Sequence, residues 1–359
     1  MKFKNENMRS IALSVIFSIL GSITFAQGTG KGNQDGIIAK GRMPNMVIDK
    51  RNNIHIVYGT GDSIMYMIST TKGRSFTPPA LIAVLPGLFA SAMRGPQIAA
   101  ADNGVIVTAC TKKGNIFSYR KEASGKWTKP MKVNDVDEIA KEALMGLSAD
   151  GKNAYAVWLG AKQPKGQNVY GAKSVDGGQT WSKNILVYAS PDNTVCECCK
   201  PSVAVKGNNV YVMFRNWLNG NRDLYVTKST NVGSSFQQAQ KLGAGSWKLN
   251  GCPMDGGGLA VNKNGEIQTV WRREGKIYAA VSGSPENEIG EGRSCTLETV
   301  NGKNVYAWTE NGEVVVIKPQ RQKKMLGKGS QPILKALNNE HVICVWENEK
   351  QIHASVLEL

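Results

Sequence analysis

Ala154-Tyr-Ala-Val-Trp158, Asn168-Val-Tyr-Gly-Ala-Lys-Ser174 and Ser174-Val-Asp176-Gly-Gly178-Gln-Thr180-Trp181 follow one another in a single short stretch. The first is a β-branched and aromatic run that ends in Trp. The second alternates, and the third is rich in Asp and Gly. That order reads as strand, strand and turn. The unit recurs along the chain. Ile54-His-Ile-Val-Tyr58, Gly104-Val-Ile-Val-Thr108, Val210-Tyr-Val-Met-Phe214 and Ile267-Gln-Thr-Val-Trp271 repeat the apolar run. Val305-Tyr-Ala-Trp308 and Val342-Ile-Cys-Val-Trp346 complete the set. Each is followed by an alternating partner, such as Ile64–Ser69, Asp223–Ser229 or Gln351–Leu357. A candidate first strand precedes each run: Asn45–Asp49, Gln97–Ala101, Gly146–Ala149, Ser202–Val205, Gly258–Asn262, Cys295–Val300 and Pro332–Ala336.

Seven copies at about 48 residues each fall in the range of propeller blades. A lone four-stranded blade cannot bury both its faces, and a ring of blades can. The expected fold is therefore an all-β propeller of seven four-stranded blades, with six blades and one degenerate copy as the alternative. The last copy stops on its third strand. Gly36-Ile-Ile-Ala-Lys40 is left unassigned, so it is expected to close the ring as the outer strand of that blade. Asn134 to Leu144 reads as a short Asn-capped helix inserted before blade three, either a wall of the site or a packing decoration.

The first residues read as a secretory signal. Lys2, Lys4 and Arg9 precede an apolar run from Ile11 to Ile23, and Thr24-Phe25-Ala26 offers a cleavage pattern. The expected organisation is a signal over residues 1–26 and one propeller domain over 27–359. Export implies a periplasmic or extracellular protein, and no later segment approaches a membrane span. The formal charge is +16. Such a surface favours anionic partners, namely acidic glycans, lipopolysaccharide or phospholipid headgroups, and export argues against nucleic acid. Nothing in the sequence sets the oligomeric state.

The turn Ser174, Asp176, Gly178, Thr180 and Trp181 matches the Asp-box, S-x-D-x-G-x-T-W. Asp accepts backbone N–H bonds there, Gly takes the positive-φ position, and Trp packs between sheets. Ser69-Thr-Thr71-Lys-Gly73-Arg-Ser75-Phe76 and Ser229-Thr-Asn231-Val-Gly233-Ser-Ser235-Phe236 are copies without the Asp. The chain thus resembles the sialidase-like, Asp-box (BNR repeat) propeller superfamily. In that superfamily the boxes are structural and many members are not hydrolases.

Strand parity places the inter-blade loops and the loops between second and third strands on one face. Four of the seven cysteines fall there: Cys196, Cys198 and Cys199 in one loop, Cys252 in the next. Thiols and thioethers on one rim are the ligands that soft Cu(I) prefers, with Met254 and Met43 as auxiliaries. The C-x-C-C spacing differs from the C-x-x-C of a zinc knuckle, although a four-thiolate Zn²⁺ site stays open. Disulfides and redox thiol chemistry stay open as well, since an exported chain meets an oxidising compartment. Cys110, Cys295 and Cys344 lie in strands and are expected as buried free thiols.

The resemblance implies a second set of residues. Sialidases clamp a substrate carboxylate with three arginines, and use a Tyr–Glu pair and an Asp acid/base. Arg42-Met43-Pro44 is similar to the R-I-P motif that supplies the first arginine. Asp62 follows on the same face, and Arg215, Arg272 and Arg293 are candidates for the others. No Tyr stands out on that face. The primary reading is therefore a binding propeller with a soft-metal or ligand site. The alternative is an exo-glycosidase acting on sialic acid or another acidic sugar.

Overall fold

The computed structural model describes Met1 and residues 36–102, 104–122, 124–161 and 166–359. The expected signal segment and its cleavage site lie outside the described residues. The chain divides into two units, Met1–Lys31 and Gly32–Leu359. Every described strand belongs to the second.

Among the described residues there are seven four-stranded antiparallel sheets. Six follow the chain in simple order. Blade one is Arg42–Ile48, Ile54–Thr60, Ser63–Ser69 and Ala80–Val84, and blade four is Ser202–Lys206, Asn209–Arg215, Leu224–Ser229 and Gln240–Lys241. The seventh combines the two ends of the unit. Ser330–Ala336, His341–Asn348 and Gln351–Glu358 take Ile37–Lys40 as their outer strand. That strand pairs antiparallel, with Ile37 opposite His353 and Lys40 opposite Gln351. The protein is a seven-bladed β-propeller closed by its N-terminal strand, and the six-blade alternative falls away.

Burial explains why the apolar runs decided the reading. Second strands are covered on both faces: Ile54–Thr60 is buried through Gly59, and Asn153–Gly160 from Ala154 onward. A strand buried on both faces reads as a near-continuous apolar run. Outer strands such as Ala80–Val84 and Met131–Lys132 are largely exposed and carry little sequence signal. Hydrophobic clusters seal each blade against the next. Trp158, Met145 and Trp181 of blade three pack with Cys110 and Ile116 of blade two. Ile54 and Tyr58 of blade one pack with Ile343 and Ile352 of blade seven.

The turn after Lys173 is built by side chains. Asp176 Oδ1 accepts the N–H groups of Gln179 at 2.9 Å and Thr180 at 3.0 Å, and Oδ2 accepts the Thr180 hydroxyl. Ser174 Oγ accepts the Gly178 N–H at 2.8 Å. Gly178 sits at φ +84°, and a Cβ there would meet Ile106 of blade two at 2.8 Å. Trp181 Nε1 reaches across to donate to Ser118 Oγ. In the two other turns Thr71 Oγ1 and Asn231 Oδ1 take the Asp176 position, accepting the N–H of Ser75 and Ser235.

One element differs from expectation. Residues 134–144 form turns, not a helix. Glu138 and Ala143 have φ of 54° and 50°, which an α-helix cannot contain. Asn134 does not cap a helix: its Oδ1 accepts the Ile116 N–H of blade two. Ile139, Ala140 and Ala143 are buried against blades two and three, so the segment is a packing element.

Candidate thiol and arginine site

The loop entering blade four runs beside the second strand of that blade. Val195 bridges Asn216, and the Cys196 N–H donates to the Arg215 carbonyl at 3.0 Å. A turn then brings the Cys199 N–H to the Cys196 carbonyl. The two side chains face one another, with Sγ atoms 3.3 Å apart and both residues buried. The loop entering blade five lies directly over this one. A Cβ at Gly256 would stand 2.2 Å from the Lys200 carbonyl, so only glycine allows the approach.

That contact carries Cys252 to Cys198, and the two are joined as a disulfide with Cα atoms 6.2 Å apart. The four-thiolate set entertained for Cu(I) or Zn²⁺ is therefore not what the structure holds. It holds a disulfide beside two free thiols, Cys196 and Cys199. Cys198 remains part of the cluster: its Sγ is 3.7 Å from that of Cys196, and the sulfurs of Cys196, Cys198 and Cys199 lie within 4.8 Å of one another. Met254 packs against the cluster that contains Val195. Met43 sits at the entry to blade one, its N–H donating to Glu347. The three other cysteines are buried free thiols, as expected.

The two free thiols are electrostatically unequal. Arg222 Nη1 lies 3.0 Å from Cys196 Sγ. A hydrogen bond from the Cys199 thiol favours the Cys196 thiolate most, burial opposes it, and the charges of Arg222 and Arg215 add to it. The net effect lowers Cys196 to about 6. Burial, and the thiolate next to it, push Cys199 up. The two shifts run in opposite directions, so the pair's proton rests on Cys199 in preference to Cys196.

The arginines have other work. Arg215 is buried and donates from Nε to the Asp255 carbonyl, from Nη1 to that of Arg222, and from Nη2 to that of Arg272. It ties three strands and loops together and keeps no edge free for a bidentate carboxylate. Arg215, Arg272 and Arg293 all act on the protein's own Asp255, which is wholly buried. Burial still raises the Asp255 carboxyl above the usual range. Its Oδ2 accepts the Ser294 N–H, whereas Oδ1 and the Nε of Arg272 find no protein partner. Arg42 instead pairs with Glu347 of blade seven at 3.2 Å. Asp62 Oδ1 accepts the Gly87 N–H, tying its hairpin turn to the loop that follows the outer strand of blade one.

Tyr188 and Trp247 escaped the sequence reading, which placed Trp217 on this face. Tyr188 does face this side, its hydroxyl accepting from Asn216 Nδ2 at 2.9 Å. Among the described residues no carboxylate hydrogen-bonds to it. The nearest sequence signal was the end of an outer strand, which carries no pattern. Trp217 and Trp247 lie under guanidinium groups, Arg222 at 4.5 Å and Arg272 at 5.4 Å from the ring centroids. Behind the rim, a cavity of about 190 Å³ is bordered by the first strands of all seven blades. Half-buried Lys200 reaches into it, donates to Gln97 Oε1 at 2.8 Å, and is pushed down to about 8 by burial.

No family model and no curated protein matches this sequence. Solved structures do match the fold. A lectin from Burkholderia pseudomallei superposes with TM-score 0.65 at 10% identity, covering 89% of this chain and 96% of the lectin. An ulvan lyase, a polysaccharide lyase, gives 0.53 at 10% identity over 90% and 95% of the two chains. An α-L-arabinofuranosidase from Fusarium graminearum gives 0.50 at 10% identity over 89% and 93%. At such identities the likeness establishes a shared fold and nothing finer. No helix among the described residues is long and apolar enough to cross a membrane.

Proposed function

We propose that this chain is an exported, sialidase-like Asp-box propeller that binds a soft metal ion, Cu(I), at a thiolate site between blades four and five. Cys196 and Cys199 are the ligands, with Met254, which packs against the cluster that contains Val195, as the auxiliary thioether. The observation that carries the reading is the pair of buried free sulfurs 3.3 Å apart, one of them favoured as thiolate by the hydrogen bond from Cys199 and then by Arg222. Thiolates select Cu(I) over harder ions, and two suffice for it. Zn²⁺ would need four ligands, and the disulfide removes two of those entertained for it. The basic surface supports recruitment of an anionic partner.

Competition against a chromophoric Cu(I) chelator, under ascorbate and without thiol reductant, tests the reading. One Cu(I) should leave the chelator per chain, and none should do so for Cys196→Ser. Equal transfer to both proteins would refute the assignment.

The second reading is a propeller that binds or cleaves acidic glycans. Its support is the pairing of guanidinium groups with Trp217 and Trp247, together with the glycan-related names of the three neighbours. The arginine clamp counts against hydrolysis, since Arg215 is consumed by backbone carbonyls. A fluorogenic sialoside and a panel of acidic glycosides decide it: turnover that Arg42→Ala abolishes would establish the glycosidase.

A further inference from the structure

Cys196 and Cys199 are separated by two residues, so the C-x-C-C loop contains a C-x-x-C dithiol with Cys198 inside it. Cys198 lies beside that dithiol and is bound to Cys252. The four sulfurs form a graded path. Cys252 is exposed, Cys198 half-buried, and Cys196 and Cys199 buried. The steps from Cys198 to Cys196 and from Cys196 to Cys199 are 3.7 and 3.3 Å. A disulfide and a dithiol are thus in direct sulfur contact.

We propose that these four cysteines form a thiol–disulfide exchange relay, in which the buried Cys196/Cys199 dithiol exchanges electrons with the Cys198–Cys252 disulfide and, through exposed Cys252, with peptide or protein disulfides in solution. The inference goes beyond metal binding and does not depend on it. In the first step the Cys196 thiolate attacks Cys198. The Cys196–Cys198 bond forms, the Cys198–Cys252 bond breaks, and Cys252 leaves as thiolate. Cys199 then attacks Cys196, its proton passing to the departing sulfur. The Cys196–Cys199 bond forms and Cys198 is released. One disulfide and two reduced sulfurs are present before and after, so the internal exchange needs no outside reagent. The freed Cys252 thiolate attacks a substrate disulfide, Cys198 resolves the mixed disulfide and restores Cys198–Cys252, and the substrate leaves as a dithiol. Two external thiols, such as glutathione, then reduce Cys196–Cys199 and leave joined as their own disulfide, which restores the dithiol for the next cycle. Arg222, 3.0 Å from Cys196 Sγ, holds the attacking sulfur in place.

The test uses the full-length mature protein with chelator present, so that no metal takes part. The one-disulfide protein is quenched in acid, alkylated, and its disulfides mapped by mass spectrometry. Both Cys198–Cys252 and Cys196–Cys199 should be found. Glutathione-driven reduction of a fluorescent peptide disulfide should fall about tenfold or more in Cys196→Ser and in Cys252→Ser. Cys110→Ala should match the wild type. Finding only Cys198–Cys252, with unchanged turnover in Cys196→Ser, would overturn the relay. If a variant does not fold, the map of the wild-type protein decides alone. Failure here would leave the chelator competition untouched, so the two readings fail separately.

Discussion

Replacing Arg222 by Gln tests the electrostatics of the site most sharply. The guanidinium donates to Cys196 Sγ at 3.0 Å, donates from Nε to the Leu249 carbonyl, and lies 4.5 Å from the Trp217 ring. Gln is shorter and neutral, so it removes both the charge and the hydrogen bond to sulfur. A hydrogen bond from a charged donor is worth about 1.5–3 kcal/mol. At about 1.4 kcal/mol per tenfold change, the thiolate-to-thiol ratio of Cys196 should fall about tenfold to a hundredfold near pH 6. Cys196 is lowered to about 6 in the wild type, so thiolate should appear as pH rises through that value. Thiolate ultraviolet absorbance follows the titration, and subtraction of the Cys196→Ser curve isolates the transition. In Arg222→Gln the transition should move to distinctly higher pH. An unchanged midpoint in a folded variant would show that Arg222 does not set the charge of this cluster.

Asp176→Ala should cost about 1–3 kcal/mol of stability, since the two N–H groups of Gln179 and Thr180 lose their acceptor; chemical denaturation would read it. Burial alone would raise the Asp176 carboxyl, but bonds from Thr180, Ser174 and Gln179 hold it below the ordinary 3.8. Its contribution is therefore complete above that value and lost as pH falls through the folded one, so wild type and Asp176→Asn should converge at strongly acidic pH. Ala39→Asp places an unpaired charge at the buried position of the closing strand and should cost about 3–5 kcal/mol; an unchanged denaturation midpoint would contradict ring closure by Ile37–Lys40. Arg215→Met should destabilise by a similar amount, about 3 kcal/mol, by orphaning three carbonyls; full stability would show that Arg215 is free for a ligand.

The fold was legible because second strands lie between two other blades. Burial on both faces forces runs such as Ala154–Trp158 to be continuously apolar, and seven such runs count the blades. The closing strand was legible by subtraction, since the last copy lacked its outer member. The helix expected over residues 134–144 failed because an Asn cap and scattered apolar residues also suit a buried turn. Backbone conformations at Glu138 and Ala143 are invisible to periodicity. At the site, parity correctly brought the cysteines of two loops together. Parity could not tell which sulfurs pair, because that depends on the approach of Gly256 to Lys200. It also could not show that Arg215 points inward to carbonyls rather than outward to a ligand. The C-x-x-C pair was hidden by the third cysteine inside it.

The most direct test of the metal-binding claim is X-ray absorption at the copper edge on protein loaded under ascorbate, with the Cys198–Cys252 disulfide intact. One copper per chain, reduced and bound only by sulfur, and absent from the Cys196→Ser/Cys199→Ser double variant, is the expected result. A chain that takes up no copper, or a double variant that keeps it with the same sulfur signal, would contradict the assignment of a thiolate site to this propeller.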